Sequence, residues 1–136
     1  MIYLTRRERF SAAHRMFRED WDEQENYRVF GKCSNPNWHG HNYELYVTVR
    51  GETDSEKGFV MNLAELKQIL QELIISKLDH KNINLEVPFM QGRIATTENL
   101  VTAIWNELLP HIRARGVELH CVKISETENN FVEYYG

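Results

Sequence analysis

The stretch His39-Gly40-His41-Asn42-Tyr43-Glu44-Leu45-Tyr46-Val47-Thr48-Val49-Arg50 decides how the chain is read. Tyr43, Leu45, Val47 and Val49 alternate with Glu44, Tyr46, Thr48 and Arg50, the period of a strand with one buried face. Side chains at i and i+2 point the same way along a strand. If residues 39–41 enter this strand extended, His39 and His41 reach the same point in space, with Gly40 allowing close packing between them.

Upstream, residues 2–14 are mostly extended. Ile2, Leu4, Phe10 and Ala12 share one parity, and His14 ends the segment in phase with them. Residues 15–38 are polar and irregular, with Trp21, Tyr27, Val29 and Phe30 as anchors, and a loop of that length is often functional. Downstream, Gly51 to Gly58 is a polar connection. Asn62 is an N-cap for a helix reaching about Leu78, with Glu65 completing a capping box and Leu63, Leu66, Ile69, Leu70, Leu73 and Ile74 as its apolar stripe. A second helix starts at Thr96 or Thr97, uses Leu100, Ile104, Trp105 and Leu108, passes Pro110 and stops near Gly116. Strands follow over Val117–Ser125 and Phe131–Tyr135, with a turn at Glu128-Asn129-Asn130.

The order strand-strand-helix-helix-strand-strand predicts an α+β fold, a four-stranded antiparallel sheet with two helices on one face. The other face and the edges of such a sheet need cover, which joining sheets across subunits would supply. The 136 residues suit one domain, 1–136, with a modest core. A formal charge of -4 argues against nucleic-acid binding, which usually needs a basic face. No run is long and apolar enough for a membrane span, and the N-terminus has no signal-peptide pattern, so a cytoplasmic protein is expected. With Cys33 and Cys121 the only cysteines, no disulfide scaffold is expected, and Cys121 reads as a small buried hydrophobe.

Three neutral imidazoles, His14, His39 and His41, suit a zinc ion with an open fourth position. His-Gly-His alone is equally a tight turn with ordinary histidines, and sequence spacing does not bring His14 to it. Cys33 has two functional readings: a fourth ligand closing a structural site, or a free base beside the metal that removes a proton from an adjacent acidified C–H. Asp79-His80 is either a polar helix end or a proton-transfer pair in which aspartate orients imidazole. Glu126, at the end of a strand, is either solvated or able to accept two hydrogen bonds from an amino-pyrimidine edge. Thr96 and Thr97 either merely begin a helix or also line a site for a planar heterocycle. His111 and His120 lack such context and read as solvated or structural. No P-loop and no dinucleotide fingerprint occurs.

Taken in order, Phe10-Ser11-Ala12-Ala13-His14-Arg15, Phe30-Gly31-Lys32-Cys33, Asn35-Pro36-Asn37, His39-Gly40-His41-Asn42-Tyr43, Val60-Met61-Asn62-Leu63-Ala64, Leu78-Asp79-His80-Lys81-Asn82, Thr96-Thr97-Glu98-Asn99 and Glu126-Thr127-Glu128-Asn129-Asn130 closely resemble the 6-pyruvoyl tetrahydropterin synthase family. The likeness spans nearly the whole chain, and the ordered set is far more specific than any one motif. It implies the tunnelling fold (T-fold), trimers whose sheets close a barrel, and a homohexamer formed as a dimer of trimers with active sites between subunits. It implies a zinc-dependent phosphorus–oxygen lyase of tetrahydrobiopterin biosynthesis, acting on a small pterin triphosphate. The metal ligands would be His14, His39 and His41, and the base Cys33. Asp79 and His80 would be the proton-transfer pair of a neighbouring subunit, Glu126 the pterin anchor, and Thr96 and Thr97 lining residues. Arg15, Lys32 and Lys81 are basic residues near these segments with no assigned contact.

The implied reaction converts 7,8-dihydroneopterin triphosphate to 6-pyruvoyl-tetrahydropterin and triphosphate. A related branch, 6-carboxy-tetrahydropterin synthase of queuosine precursor synthesis, typically has a shorter spacer between cysteine and His-Gly-His than the five residues Ser34 to Trp38 here. A third branch uses a glutamate near this position to make hydroxymethyl-dihydropterin, and no glutamate lies between Cys33 and His39. Trp38 departs from the pyruvoyl-forming branch, which often has glycine there. Outside catalysis altogether stands a zinc-stabilised assembly module, which would not require Cys33, Asp79, His80 and Glu126 together.

Overall fold

A computed structural model describes residues 1–136. Strand β1 (Ile2–His14) pairs antiparallel with β2 (His39–Gly51) along its whole length, from Ile2 opposite Gly51 to His14 opposite His39. β2 pairs with β4 (Glu118–Ser125), and β4 with β5 (Phe131–Tyr134), both antiparallel. The alternation predicted for β2 is seen directly. Tyr43, Leu45, Val47 and Val49 are buried, and the parity of β1 buries Phe10, Ala12 and His14 on the same face.

Two helical units cover that face. Asn62 caps α2 (Leu63–Leu70) by accepting the Ala64 N–H at 2.8 Å. Glu65 is drawn toward Arg115, 3.9 Å away. The helix runs on through a π-helical stretch, Gln71–Ile75, into α3 (Ser76–Leu78). Thr96 caps α5 (Thr97–Arg113), accepting from Asn99 N at 3.1 Å, and Pro110 is accommodated inside the helix. Leu66, Leu70 and Ile74 meet Leu100, Ile104, Leu108 and Ile112 over Leu45, Val47, Val122 and Ile124 in one core of 27 buried residues. Burial of that apolar area is the main stabilising term. No helix is long and apolar enough to cross a membrane.

Two expectations need correction. With β3 (Lys81–Asn82) the sheet has five strands, in the order β3-β1-β2-β4-β5, and it is not wholly antiparallel. The added strand lies parallel to β1 at Ala12 and Ala13. Two residues carry no readable period. They are followed by the short α4 (Ile83–Glu86), capped by Asn82, and a 3-10 turn at Pro88–Met90. The polar segment 15–38 is also not irregular throughout. It holds α1 (Glu23–Phe30), capped by Asp22, and a 3-10 turn at Gly31–Ser34. Asn26, the only buried residue of α1, stitches this segment together. It accepts from Arg18 N at 2.8 Å and donates to Arg18 O at 3.0 Å.

A shift in register between Thr48 and Val49 makes His120 the extra residue of β4. It sets buried Cys121 opposite Thr48, on the sheet face away from the helices. β1 has a strand partner on its outer edge only at Ala12 and Ala13, and Asp79 and His80 bond the backbone of Ser11, so Ile2 to Phe10 form an open edge.

Candidate metal centre

Three strand ends converge at one end of the sheet, on its helix-covered face. β1 delivers His14 as its last residue, β2 delivers His39 and His41 at its start, and Glu126 directly follows β4. The pairing of Glu44 with Ser125 sets the register that carries Glu126 to the histidines. One potential ligand atom from each of the four residues lies within 4.8 Å of all the others.

Four imidazole nitrogens there lack partners. His14 Nδ1 donates to the carbonyl of Ala95 at 2.7 Å, which fixes the tautomer and leaves the Nε2 lone pair free. Glu126 Oε1 lies 2.9 Å from His41 Nε2 and 3.4 Å from His14 Nε2, but neither approach has hydrogen-bond geometry. Both Nε2 atoms and both nitrogens of His39 are therefore buried and unsatisfied. Buried polar atoms are rarely left so, and a bound ion would satisfy all of them. The donor set suits a metal ion such as zinc.

The electrostatics agree. Burial pushes the His39 pKa down, helped by His14 and His41. Burial also lowers His41, against the pull of Glu126. Both rings thus favour the neutral form that a metal requires. Nearby His14 chiefly, with the Thr97 hydroxyl and His41, holds the Glu126 carboxyl down at about 2 against the opposing effect of burial. Thr97, almost fully buried, donates from Oγ1 to Glu126 Oε2 at 2.8 Å.

The other predicted site residues fall in different places. Thr96 spends its hydroxyl on the α5 cap, so of the two threonines it is Thr97 that touches the cluster. Cys33 is half-buried in the 3-10 turn, and its carbonyl accepts from Met16 N at 2.8 Å, tying it to the chain just beyond His14. It is not one of the four clustered residues. Buried Tyr43 lies near both Cys33 and Glu126, and burial chiefly, with the Glu126 carboxylate adding to it, holds its phenol far above the usual range.

Asp79 and His80 do pair, with Nδ1 of His80 3.0 Å from Oδ2 of Asp79. Ser11 N donates to Asp79 Oδ1 at 2.9 Å and is the main cause of its lowered pKa. His80 stands 84% exposed beside β3 and is not among the clustered residues, so one chain alone does not bring this pair to the metal centre. His120 packs edge-on against Tyr3 and Tyr135, a structural role.

Sequence reading missed two contributors. The Ala95 carbonyl orients His14, but a backbone group leaves no residue-type signal. Tyr43 was read as a core residue. Its ring, stacked on Phe10 with centroids 4.8 Å apart, also meets His41 edge-on at 5.5 Å and so supports the ligand rings.

The family model described as 6-pyruvoyl tetrahydropterin synthase matches residues 3–136. The chain is 48% identical over 133 residues to a 6-pyruvoyl tetrahydrobiopterin synthase of Pongo abelii, covering 98% of this chain and 90% of that protein. It is 47% identical over 135 residues to the enzyme of that name from Dictyostelium discoideum, covering 99% and 96%. The solved structure of Caenorhabditis elegans 6-pyruvoyl tetrahydropterin synthase superposes with a TM-score of 0.92 at 37% identity, covering 99% of this chain and 95% of that one. Metal centre, T-fold and full-length similarity together decide against an assembly module without catalysis: the chain is an enzyme of the 6-pyruvoyl tetrahydropterin synthase family.

Proposed function

We propose that the chain converts 7,8-dihydroneopterin triphosphate to 6-pyruvoyl-tetrahydropterin with elimination of triphosphate, as a cytosolic homohexamer built from two trimers. The observation that carries this reading is the set of partnerless imidazole nitrogens at His14, His39 and His41, with the Glu126–Thr97 pair beside them. Zinc held by these imidazoles would act as a Lewis acid on the side-chain oxygens of the substrate.

The remaining roles belong to the chain. Glu126, kept anionic and steadied by Thr97, accepts the N–H groups of the pterin edge. Keeping it off the metal leaves the fourth position open, as a catalytic site needs. Cys33, tied to the chain two residues past His14 but outside the cluster, accepts a proton from the substrate side chain. Asp79 and His80, paired just before the edge strand β3, enter the site of a neighbouring subunit and hold the second proton. The substrate reduces its own ring as its side chain is oxidised, so no external nicotinamide is required. The five-residue spacer from Ser34 to Trp38 favours the pyruvoyl product over the carboxy product.

Anaerobic incubation of zinc-loaded protein with 7,8-dihydroneopterin triphosphate, followed by mass spectrometry, tests the reading. A pterin that keeps all three side-chain carbons, with triphosphate released, is expected. A 6-carboxy pterin with acetaldehyde would overturn it.

A further inference from the structure

A cysteine that serves as a base beside zinc has to be kept from binding it. Thiolate sulfur is among the preferred ligands of zinc, and a fourth ligand from the protein would close the position the substrate needs. Cys33 is half-buried and is not one of the four residues whose ligand atoms gather within 4.8 Å. Its place is set by the turn that carries it.

That turn is closed on itself and docked at two points. The hydroxyl of buried Ser34 donates to Gly31 O at 2.7 Å, and Asn35 N donates to Lys32 O at 3.2 Å. Met16 N donates to Cys33 O at 2.8 Å, and Arg15 Nε donates to Ser34 O at 2.7 Å. Both docking donors belong to the two residues directly after His14.

Arg15 is in turn held from behind. Its N–H donates to Asn84 Oδ1 at 2.9 Å, and its carbonyl accepts from Asn84 Nδ2 at 2.8 Å, so one side chain grips both backbone groups. Asn84 is itself fixed in α4, where its N–H donates to Asn82 Oδ1 at 3.0 Å. The half-buried Arg15 guanidinium lies 4.0 Å over the Phe17 ring, and its Nε bond goes to a backbone carbonyl rather than to a carboxylate. A hydrogen bond from a charged donor is stronger than a neutral one. Arg15 thus joins a metal ligand to the cysteine turn through a single residue.

We propose that Arg15, gripped by Asn84, is a positioning residue that holds the 31–34 turn so that Cys33 Sγ stands beside the metal without coordinating it. This rests on the reading of Cys33 as a free base and names what keeps it free.

Cobalt(II) in place of zinc makes sulfur ligation visible, because a thiolate on cobalt gives an intense near-ultraviolet charge-transfer band and imidazole does not. Cobalt-loaded full-length protein should lack that band. Arg15→Met, which keeps an unbranched stem and removes the Nε donor, should show it, and adding Cys33→Ser to that variant should abolish it again. Zinc loss to a chelator should slow about tenfold in Arg15→Met, the lower end of what groups around the first ligands usually change. A merely structural role for Arg15 would loosen the site and speed that loss. Asn84→Ala, which frees the Arg15 backbone and leaves the guanidinium in place, should move both readouts in the same direction, and it serves alone if Arg15→Met does not fold. No band, with unchanged or faster zinc loss in the folded variants, would overturn the restraint and leave the free-base reading standing. A band in the unaltered protein would put Cys33 on the metal and overturn both.

Discussion

Replacing Glu126 with glutamine separates the two things a carboxylate can do in this site. The change is nearly isosteric, and the Thr97 hydroxyl, 2.8 Å from Oε2, can serve an amide oxygen equally well, so the local fold should hold. An acceptor-only carboxylate becomes one acceptor and one donor. If Glu126 receives two N–H groups from the pterin, one of them then faces an NH2. The lost charge-assisted hydrogen bond is worth about 1.5–3 kcal/mol, and the donor left unpaired costs about 1–3 kcal/mol more. Taken near the middle, the sum is about 4 kcal/mol, or roughly 10³-fold in pterin affinity. Zinc content should be unchanged, because His14, His39 and His41 remain. Calorimetric titration with a pterin, alongside metal analysis of the same sample, reads both quantities. Zinc loss with pterin affinity intact would make Glu126 the fourth ligand and refute the assignment of an open site.

Two further outcomes follow from the same geometry. Cys33→Ala should keep zinc and assembly while turnover falls about 10²–10⁴-fold, the usual worth of a general base; zinc loss in that variant would put the thiol on the metal. The zinc-free protein should lose stability as pH falls. His39 and His41 have folded pKa values below the ordinary 6.5, so between those values the unfolded chain binds more protons and acidification favours it. Glu126 acts in the same direction lower down. Its contribution is complete above the ordinary 4.5 and is lost as pH falls toward about 2. Thermal melts in chelator should show Tm falling from pH 7.5 to pH 5, and a flat profile would mean the two rings are solvated.

Much of the architecture can be read from local pattern, because that pattern is where its cause lies. Burying one face of β2 requires the alternation of Tyr43, Leu45, Val47 and Val49, and His39 and His41 share their parity, so two ligands come with the strand. Asn62 and Thr96 mark their helices because an N-cap needs a side-chain acceptor at that one position. Segments with weak local causes stay hidden. α1 buries only a polar asparagine, and β3 is two residues whose pairing with β1 is set from outside them. The residue type of Trp38 gives no sign of its left-handed backbone, and only the glycine common at that place in the pyruvoyl-forming branch hints at it.

The metal centre divides along the same line. Residue types and the i, i+2 spacing of His39 and His41 belong to the sequence by itself, as does the phase that points His14 to the core. Bringing the pieces together belongs to tertiary structure. Full-length β1–β2 pairing sets His14 opposite His39, and the β2–β4 register brings Glu126 to His41 from the far end of the chain. Folding also supplies Ala95 O to orient His14 and removes water from the imidazole nitrogens. A strand's period is a local property of its backbone, whereas a coordination site depends on registers between strands, and only the packed sheet and its helices determine those.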